Sequence, residues 1–379
     1  MATTYGPRAW KAQDVRNDRS WIQRLTPEEA EGFHQALLHA KKKGKPLLEM
    51  EQSDFPLPAS SRAVLQSALD ATQGRWGMVL VKGFPTDRWT EEDVRVAYWG
   101  MSLYMGVGRA QNKASEVITD VRDTGGNYYV KGGRGYNTNV ELLFHQDYSD
   151  VVALLCRRTA KSGGTSKVVS SIAMREAMQR ERPDLVPILQ ENEWFHSFQG
   201  AQDPSQPPYY RCPVFGTGTK MPVHRTNRKD TTAAQRDFPE VPRMTSQQVE
   251  ALDILDKLMP SDEYCYSMEL EPGDLQLLNN FVIWHSRTAF EDFEDPDQKR
   301  HLMRLWMSTP NSPDLPLEFA EFFGDTRPGA VRGGLRGGFV SQEFADYERR
   351  QARAMSMLYA PFQAHVTPEE MSKIVAAER

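Results

Sequence analysis

Two histidines, one aspartate and two arginines carry the chemistry legible in this chain. His145-Gln146-Asp147 sets an imidazole and a carboxylate two residues apart, and side chains two apart on an extended strand share a face, so both can meet one metal ion. Alone the pair is weak, since eight histidines and 51 acidic residues give roughly one such spacing by chance. His285 closes the apolar run Phe281-Val282-Ile283-Trp284, where a histidine is more often packed into the core than bound to a metal. Taken with the first pair, it completes two imidazoles and one carboxylate, the facial set that holds Fe(II) and leaves octahedral positions open. Oxygen chemistry needs those positions, because a bidentate co-substrate and O2 must both reach the metal; a closed four-ligand site prevents this.

Arg300 follows in the run Lys299-Arg300-His301-Leu302-Met303-Arg304. A guanidinium is permanently charged and offers paired donors matched to a carboxylate, so an arginine one strand from the metal is a candidate anchor for a dicarboxylate. Arg304, an even number of residues on, is predicted to face the same way. The competing reading for each is a surface ion pair. Polar loops before the metal strand, Gln111-Asn112 and Tyr136-Asn137-Thr138-Asn139, offer Gln111 and Asn139 as groups that could reach a substrate, against ordinary loop polarity.

The elements that must position these residues are mixed. Thr26-Pro27-Glu28-Glu29 is a capping box opening a helix to about Ala40, 78–81 reads as a short buried strand, and Thr90-Glu91-Glu92-Asp93 starts another helix. From Glu116 short β-type runs dominate, at 117–121, 140–144, 151–156, 166–169, 194–198, 209–215, 264–270, 275–278, 281–284 and 302–307, broken by turns such as Glu271-Pro272-Gly273-Asp274. Helices are predicted at 172–189 and, after the capping box at Thr245, to about Leu258. The fold class is therefore mixed α/β with a mainly β core, a sandwich or barrel flanked by helices. We expect one catalytic domain over 1–379: a helical extension at 1–75, the core at 77–308, and a tail at 310–379. In that tail the glycine-rich stretch 329–338 is either a lid over the pocket or a linker to a charged helix at 342–357.

Composition bounds the function. With 46 basic against 51 acidic residues and 39% hydrophobic content, the chain is nearly neutral and can bury a large core; its basic residues are scattered, so nucleic acid is not an expected partner. Cys156, Cys212 and Cys265 lack metal or redox spacing, and neither a secretory signal nor a membrane span is readable, which together predict a cytoplasmic protein away from membranes. A homo-oligomer stays open.

Phe144-His145-Gln146-Asp147, Gly163-Gly164-Thr165-Ser166, His285-Ser286-Arg287 and Arg300 through Trp306 together resemble the taurine dioxygenase (TauD/TfdA) family of the clavaminate-synthase-like group, over about 77–308. The resemblance implies a double-stranded β-helix (jelly roll) and an Fe(II)- and 2-oxoglutarate-dependent oxygenase that uses O2 and releases succinate and CO2. It implies His145, Asp147 and His285 as iron ligands and Arg300 as holder of the 2-oxoglutarate C5 carboxylate. Ser166 would assist, with Thr165 as its rival, and Arg304 would bind an anionic group of the substrate. The long spacing from His285 to Arg300, with Glu294-Asp295-Pro296-Asp297 as an extra loop, leaves the two arginine roles exchangeable. The expected substrate is small and carboxylate-bearing or amino-acid-like, to be hydroxylated, desaturated or cyclised. The alternatives are an iron oxygenase independent of 2-oxoglutarate and a silent jelly-roll binding protein.

Overall fold

The computed structural model describes residues 8–112, 114–335, 341–363 and 365–377. Its larger sheet runs Ile22–Arg24, Met78–Lys82, Leu275–Asn279, Val151–Arg158, His301–Ser308 and Val107–Arg109, with Ile118–Val121 also paired to the His301–Ser308 strand. The smaller sheet runs Tyr266–Met268, Ser166–Ser170, Ile283–Arg287 and Leu142–His145, all antiparallel. This pair of sheets is the double-stranded β-helix core that the resemblance implied.

Both faces of the larger sheet are buried, so its strands read as nearly continuous apolar runs, and parity decides which neighbour each side chain meets. Val151, Ala153, Leu155, Met303, Leu305 and Met307 pack beneath helices Pro27–Lys43, Ala59–Ala71 and Glu91–Ser102, against Phe33, Leu65 and Trp99. The alternate set, Val152, Cys156, Leu302 and Trp306, faces the smaller sheet. Arg304 has the parity of Leu302 and Trp306, which aims a cation into the space between the sheets. In the smaller sheet Val168 and Ile283 point into that space, whereas Val169 and Trp284 pack outward under helices Ser171–Glu181 and Ser246–Leu258.

Several elements depart from the sequence expectation. Residues 1–75 supply a strand, Ile22–Arg24, parallel to Met78–Lys82, as well as helices. The helix expected at 172–189 is two, Ser171–Glu181 and Val186–Gln190, because Arg182 precedes Pro183 and leaves the helical region at φ −143°. Helices Arg228–Asp237 and Pro368–Ala377 have no counterpart in the sequence reading. Of the glycine-rich 329–338, Gly333, Gly334 and Leu335 donate backbone hydrogen bonds to Phe323, Tyr148 and Ala110, and 336–338 lie outside the described residues. Among the described residues no helix is long and apolar enough to cross a membrane.

Candidate active site

A solvent-open cavity lies between the sheets, and residues from both of them line it. In the smaller sheet His285 stands directly opposite His145 and, on its other side, Val168; two residues on, Arg287 stands opposite Ser166. Strand alternation therefore puts His145, His285, Arg287 and Ser166 on one inward face. Asp147 reaches the same place by another route. The strand stops at His145, so the sequence argument that His145 and Asp147 share a strand face does not hold; Asp147 sits in the following loop, where its N–H donates to Asn280 Oδ1 at 3.2 Å.

One potential ligand atom from each of His145, Asp147 and His285 lies within 4.8 Å of the others, close enough to hold one metal ion. The histidine ring centroids are 4.5 Å apart, and His285 Nε2 is 3.7 Å from Asp147 Oδ2. His145 Nδ1 donates to the Leu143 carbonyl at 2.8 Å, which fixes the ring and leaves Nε2 as its ligating nitrogen. Burial holds the imidazoles neutral, lowering His145 and taking His285 to about 3. Burial would raise Asp147, but the Arg304 cation overcomes this and holds its carboxyl below the usual range. Neutral imidazoles beside an ionised carboxylate are the donor set a divalent cation requires. The buried Asp147 Oδ2 and His285 Nδ1 have no hydrogen-bond partner, atoms that a metal and its surroundings would satisfy.

Arg300 and Arg304 occupy different surroundings. Arg304 Nη1 donates to Asp147 Oδ1 at 3.1 Å and its Nε to Gln111 Oε1 at 2.8 Å. Gln111 is fully buried and does not line the cavity; its Nε2 donates to the carbonyls of Val117 and Arg304 at 2.8 Å each, so it holds Arg304 in place. Asn139, the other loop residue proposed to reach a substrate, is exposed and outside the cavity lining. Arg300 lies at the opposite end from the Arg304–Asp147 pair, beside Gly164, with its guanidinium 5.0 Å from the Phe290 ring centroid and a buried Nη1 lacking a partner. Ser166 lines the cavity, whereas Thr165 turns out of it and its hydroxyl donates to Glu269.

Sequence reasoning missed Arg287. Its Nη2 donates to the Thr138 carbonyl at 2.9 Å and to that of Val140, while the buried Nε and Nη1 have no partner. It shares the Phe290 ring with Arg300 at 4.7 Å, and burial followed by the Arg300 charge lowers it to about 9, still charged at neutral pH. Two guanidiniums with partnerless N–H groups, neither in an ion pair among the described residues, are a donor set suited to an anion. The parity of 285 and 287 was the available signal.

The model of the family described as taurine catabolism dioxygenase TauD, TfdA matches residues 42–306, starting well before the 77 at which the sequence motifs begin. FR-33289 synthase of Streptomyces rubellomurinus is 31% identical over 327 residues, covering 83% of this chain and 93% of that protein. A taurine hydroxylase-like protein of Stachybotrys chartarum is 24% identical over 306 residues, 78% of this chain and 77% of its own. Among solved structures, asparagine oxygenase with Fe(II), 3-hydroxyasparagine and succinate matches with TM-score 0.61 at 20% identity, over 80% of this chain and 97% of that one. The non-haem iron oxygenase OrfP with iron and alpha-ketoglutaric acid matches with TM-score 0.55 at 18% identity, over 76% and 94%. At those identities the structural likeness speaks for the fold.

Proposed function

The chain belongs to the TauD/TfdA family of Fe(II)- and 2-oxoglutarate-dependent oxygenases, and from that premise we propose that His145, Asp147 and His285 hold the iron while Arg300, with Arg287 and Ser166, holds the far carboxylate of 2-oxoglutarate. One observation carries this assignment. The three potential ligand atoms and the two arginines with unpaired donors face a single cavity, so a dicarboxylate chelated at one end could be clamped at the other. When bound, iron and 2-oxoglutarate supply the oxidising power for a substrate C–H bond, with O2 consumed and succinate and CO2 released.

The protein's own part is position and charge. Leu143 fixes the His145 ring, and Asn280 fixes the backbone at Asp147. Arg304, steadied by Gln111, orients Asp147 and favours its ionised state. Both guanidiniums stand against the Phe290 ring and keep buried N–H groups without a partner, so an incoming dicarboxylate would meet free donors. The same surroundings support Arg300 over Arg304 as the co-substrate anchor, because Arg304 is already committed to Asp147.

We assign the substrate as a small molecule bearing an acidic group, amino-acid-like in size. Asparagine oxygenase carries 3-hydroxyasparagine in its structure and OrfP carries (3S)-hydroxy-L-Arg, which supports that class. The three cysteines are buried and unpaired, which supports a reducing, cytoplasmic setting. The test is Fe(II)-dependent conversion of 2-oxoglutarate to succinate in the presence of candidate amino acids. Loss of turnover in His285→Ala with the fold intact is expected; turnover retained in that variant contradicts the ligand assignment.

A further inference from the structure

The cavity carries a second pair of cations besides Arg287 and Arg300. Arg134 lies in the loop Lys131-Gly132-Gly133-Arg134-Gly135, and Lys229 in the first turn of helix Arg228–Asp237; both line the cavity. Lys229 Nζ donates to the Gly133 carbonyl and stands 4.3 Å from the Tyr128 ring centroid. The loop folds back on itself at Gly133, where a Cβ would come within 2.1 Å of the Asn127 carbonyl oxygen, so this backbone position requires glycine. Arg134 Nη2 donates to the Gln111 carbonyl at 3.3 Å. Among the described residues neither cation has a carboxylate within ion-pair distance, and each keeps further donors for a ligand. Burial pushes Lys229 down to about 8, with Asp230 only partly offsetting it, so an anion beside Lys229 would relieve an existing cost.

The charge balance of the whole cavity points the same way. Arg134, Lys229, Arg287, Arg300 and Arg304 line it against Asp147 and Asp230 alone, an excess of three positive charges. Iron adds two and 2-oxoglutarate removes two, so the excess persists when the substrate arrives. Asp230 faces the buried guanidinium of Arg225, whose Nη2 is 4.0 Å from its Oδ2, and also accepts from the Tyr148 hydroxyl and from Gln199 Nε2 at 3.3 Å, so its charge is shared with a third cation. Arg304 is likewise held by Asp147. We infer that Arg134 and Lys229 form an oxyanion subsite that takes the acidic group of the substrate, and that a doubly charged oxyanion fits it better than a singly charged one. This rests on the oxygenase reading above, moves the anion-binding role from Arg304 to a loop and a helix start, and makes the pair a determinant of specificity.

The experiment uses protein loaded anaerobically with Fe(II) and 2-oxoglutarate, so that Arg300 and Arg287 are filled, and titrates it calorimetrically with methyl phosphate, methyl sulfate and acetate. Methyl phosphate is expected to bind most tightly, with affinity falling at least tenfold in Arg134→Gln and in Lys229→Gln and kept within about threefold in Arg134→Lys and Lys229→Arg. No binding of any probe, or binding unchanged in both glutamine variants, overturns the subsite. Acetate binding as tightly as methyl phosphate overturns the preference for two charges. The visible absorption of the loaded iron is recorded in the same samples: intact absorption without probe binding removes the subsite alone, whereas absorption that never appears removes the oxygenase reading and this subsite with it.

Discussion

Arg300 and Arg304 are four residues apart and both face the cavity, yet replacing each should fail differently. Arg300→Ala removes a buried charged donor from the carboxylate pocket, and its 2-oxoglutarate dissociation constant should rise roughly a hundredfold, about 3 kcal/mol, with metal affinity kept. Arg304→Ala unpairs Asp147, so metal affinity itself should drop roughly tenfold, as for other residues that orient a ligand. Titrating both variants with Fe(II) and then 2-oxoglutarate separates the two; equal losses of both ligands in both variants would contradict the division of labour. At this scale the candidate metal set and Arg300 could be singled out because His-x-Asp, a histidine ending an apolar run and a following arginine are types and spacings that sequence displays. Arg287 was hidden by its ordinary look two residues after His285. Gln111 and Asn139 were misjudged because loop polarity carries no direction: Gln111 is buried behind Arg304, and Asn139 points to solvent.

The turn Gly163-Gly164 shows how an element shapes the site. Both glycines have positive φ, 72° and 75°, and a Cβ on Gly164 would stand 2.9 Å from Arg300 Nε. Gly164→Ala should therefore displace Arg300 and weaken 2-oxoglutarate binding roughly tenfold. Gly218→Ala, with φ of 85° but nothing within 4 Å, should cost only the backbone strain of about 1 kcal/mol and leave 2-oxoglutarate affinity unchanged. Binding isotherms for the pair check this. At the far edge of the larger sheet, Asp120 accepts from Arg95 Nη2 at 2.8 and 2.9 Å and contacts His301 Nε2 at 2.9 Å, tying helix Glu91–Ser102 to the strand that carries Arg304. Burial would raise Asp120, but His301 and Arg95 outweigh it and hold the carboxyl at about 2 against an ordinary 3.8. A carboxyl depressed on folding stabilises above its unfolded value and loses that contribution as pH falls through the folded one. Acid denaturation should thus cost the wild type roughly 1 kcal/mol more than Asp120→Asn between pH 4 and 2, after allowance for partial exposure. Parallel slopes would assign Asp120 no such role. Elements with strong signals, capping boxes and apolar runs, were legible. Helix Arg228–Asp237 was not, since its buried side is built from Asp230, Thr231, Ala233 and Ala234 rather than large apolar residues.

Across the whole molecule, the two sheets enclose a cavity lined by more cations than anions, and burial lowers Lys229, Arg287, Arg300 and Arg304 alike, a cost that bound anions would relieve. Metal and co-substrate bind the folded state alone, so Fe(II) with 2-oxoglutarate at a hundred times its dissociation constant should stabilise the protein by about 2.7 kcal/mol. That gain should be seen as a rise in melting temperature, and it should vanish in His145→Ala, because no site would be left to bind. A mainly β sandwich or barrel was foreseeable from many short runs broken by glycine and proline turns, whereas the jelly roll was what the family resemblance implied. The pairing that brings His145 opposite His285, and the loop that delivers Asp147, follow from register and long-range packing that no local pattern encodes.

The most direct test of the account is to add Fe(II) and then 2-oxoglutarate to the anaerobic protein and record the weak visible charge-transfer absorption of chelated iron in wild type, His285→Ala and Arg300→Ala. The account expects the band in wild type, its loss in His285→Ala, and its appearance in Arg300→Ala only at far higher 2-oxoglutarate. A folded, iron-loaded wild type without the band, or a band undiminished in His285→Ala, would contradict it.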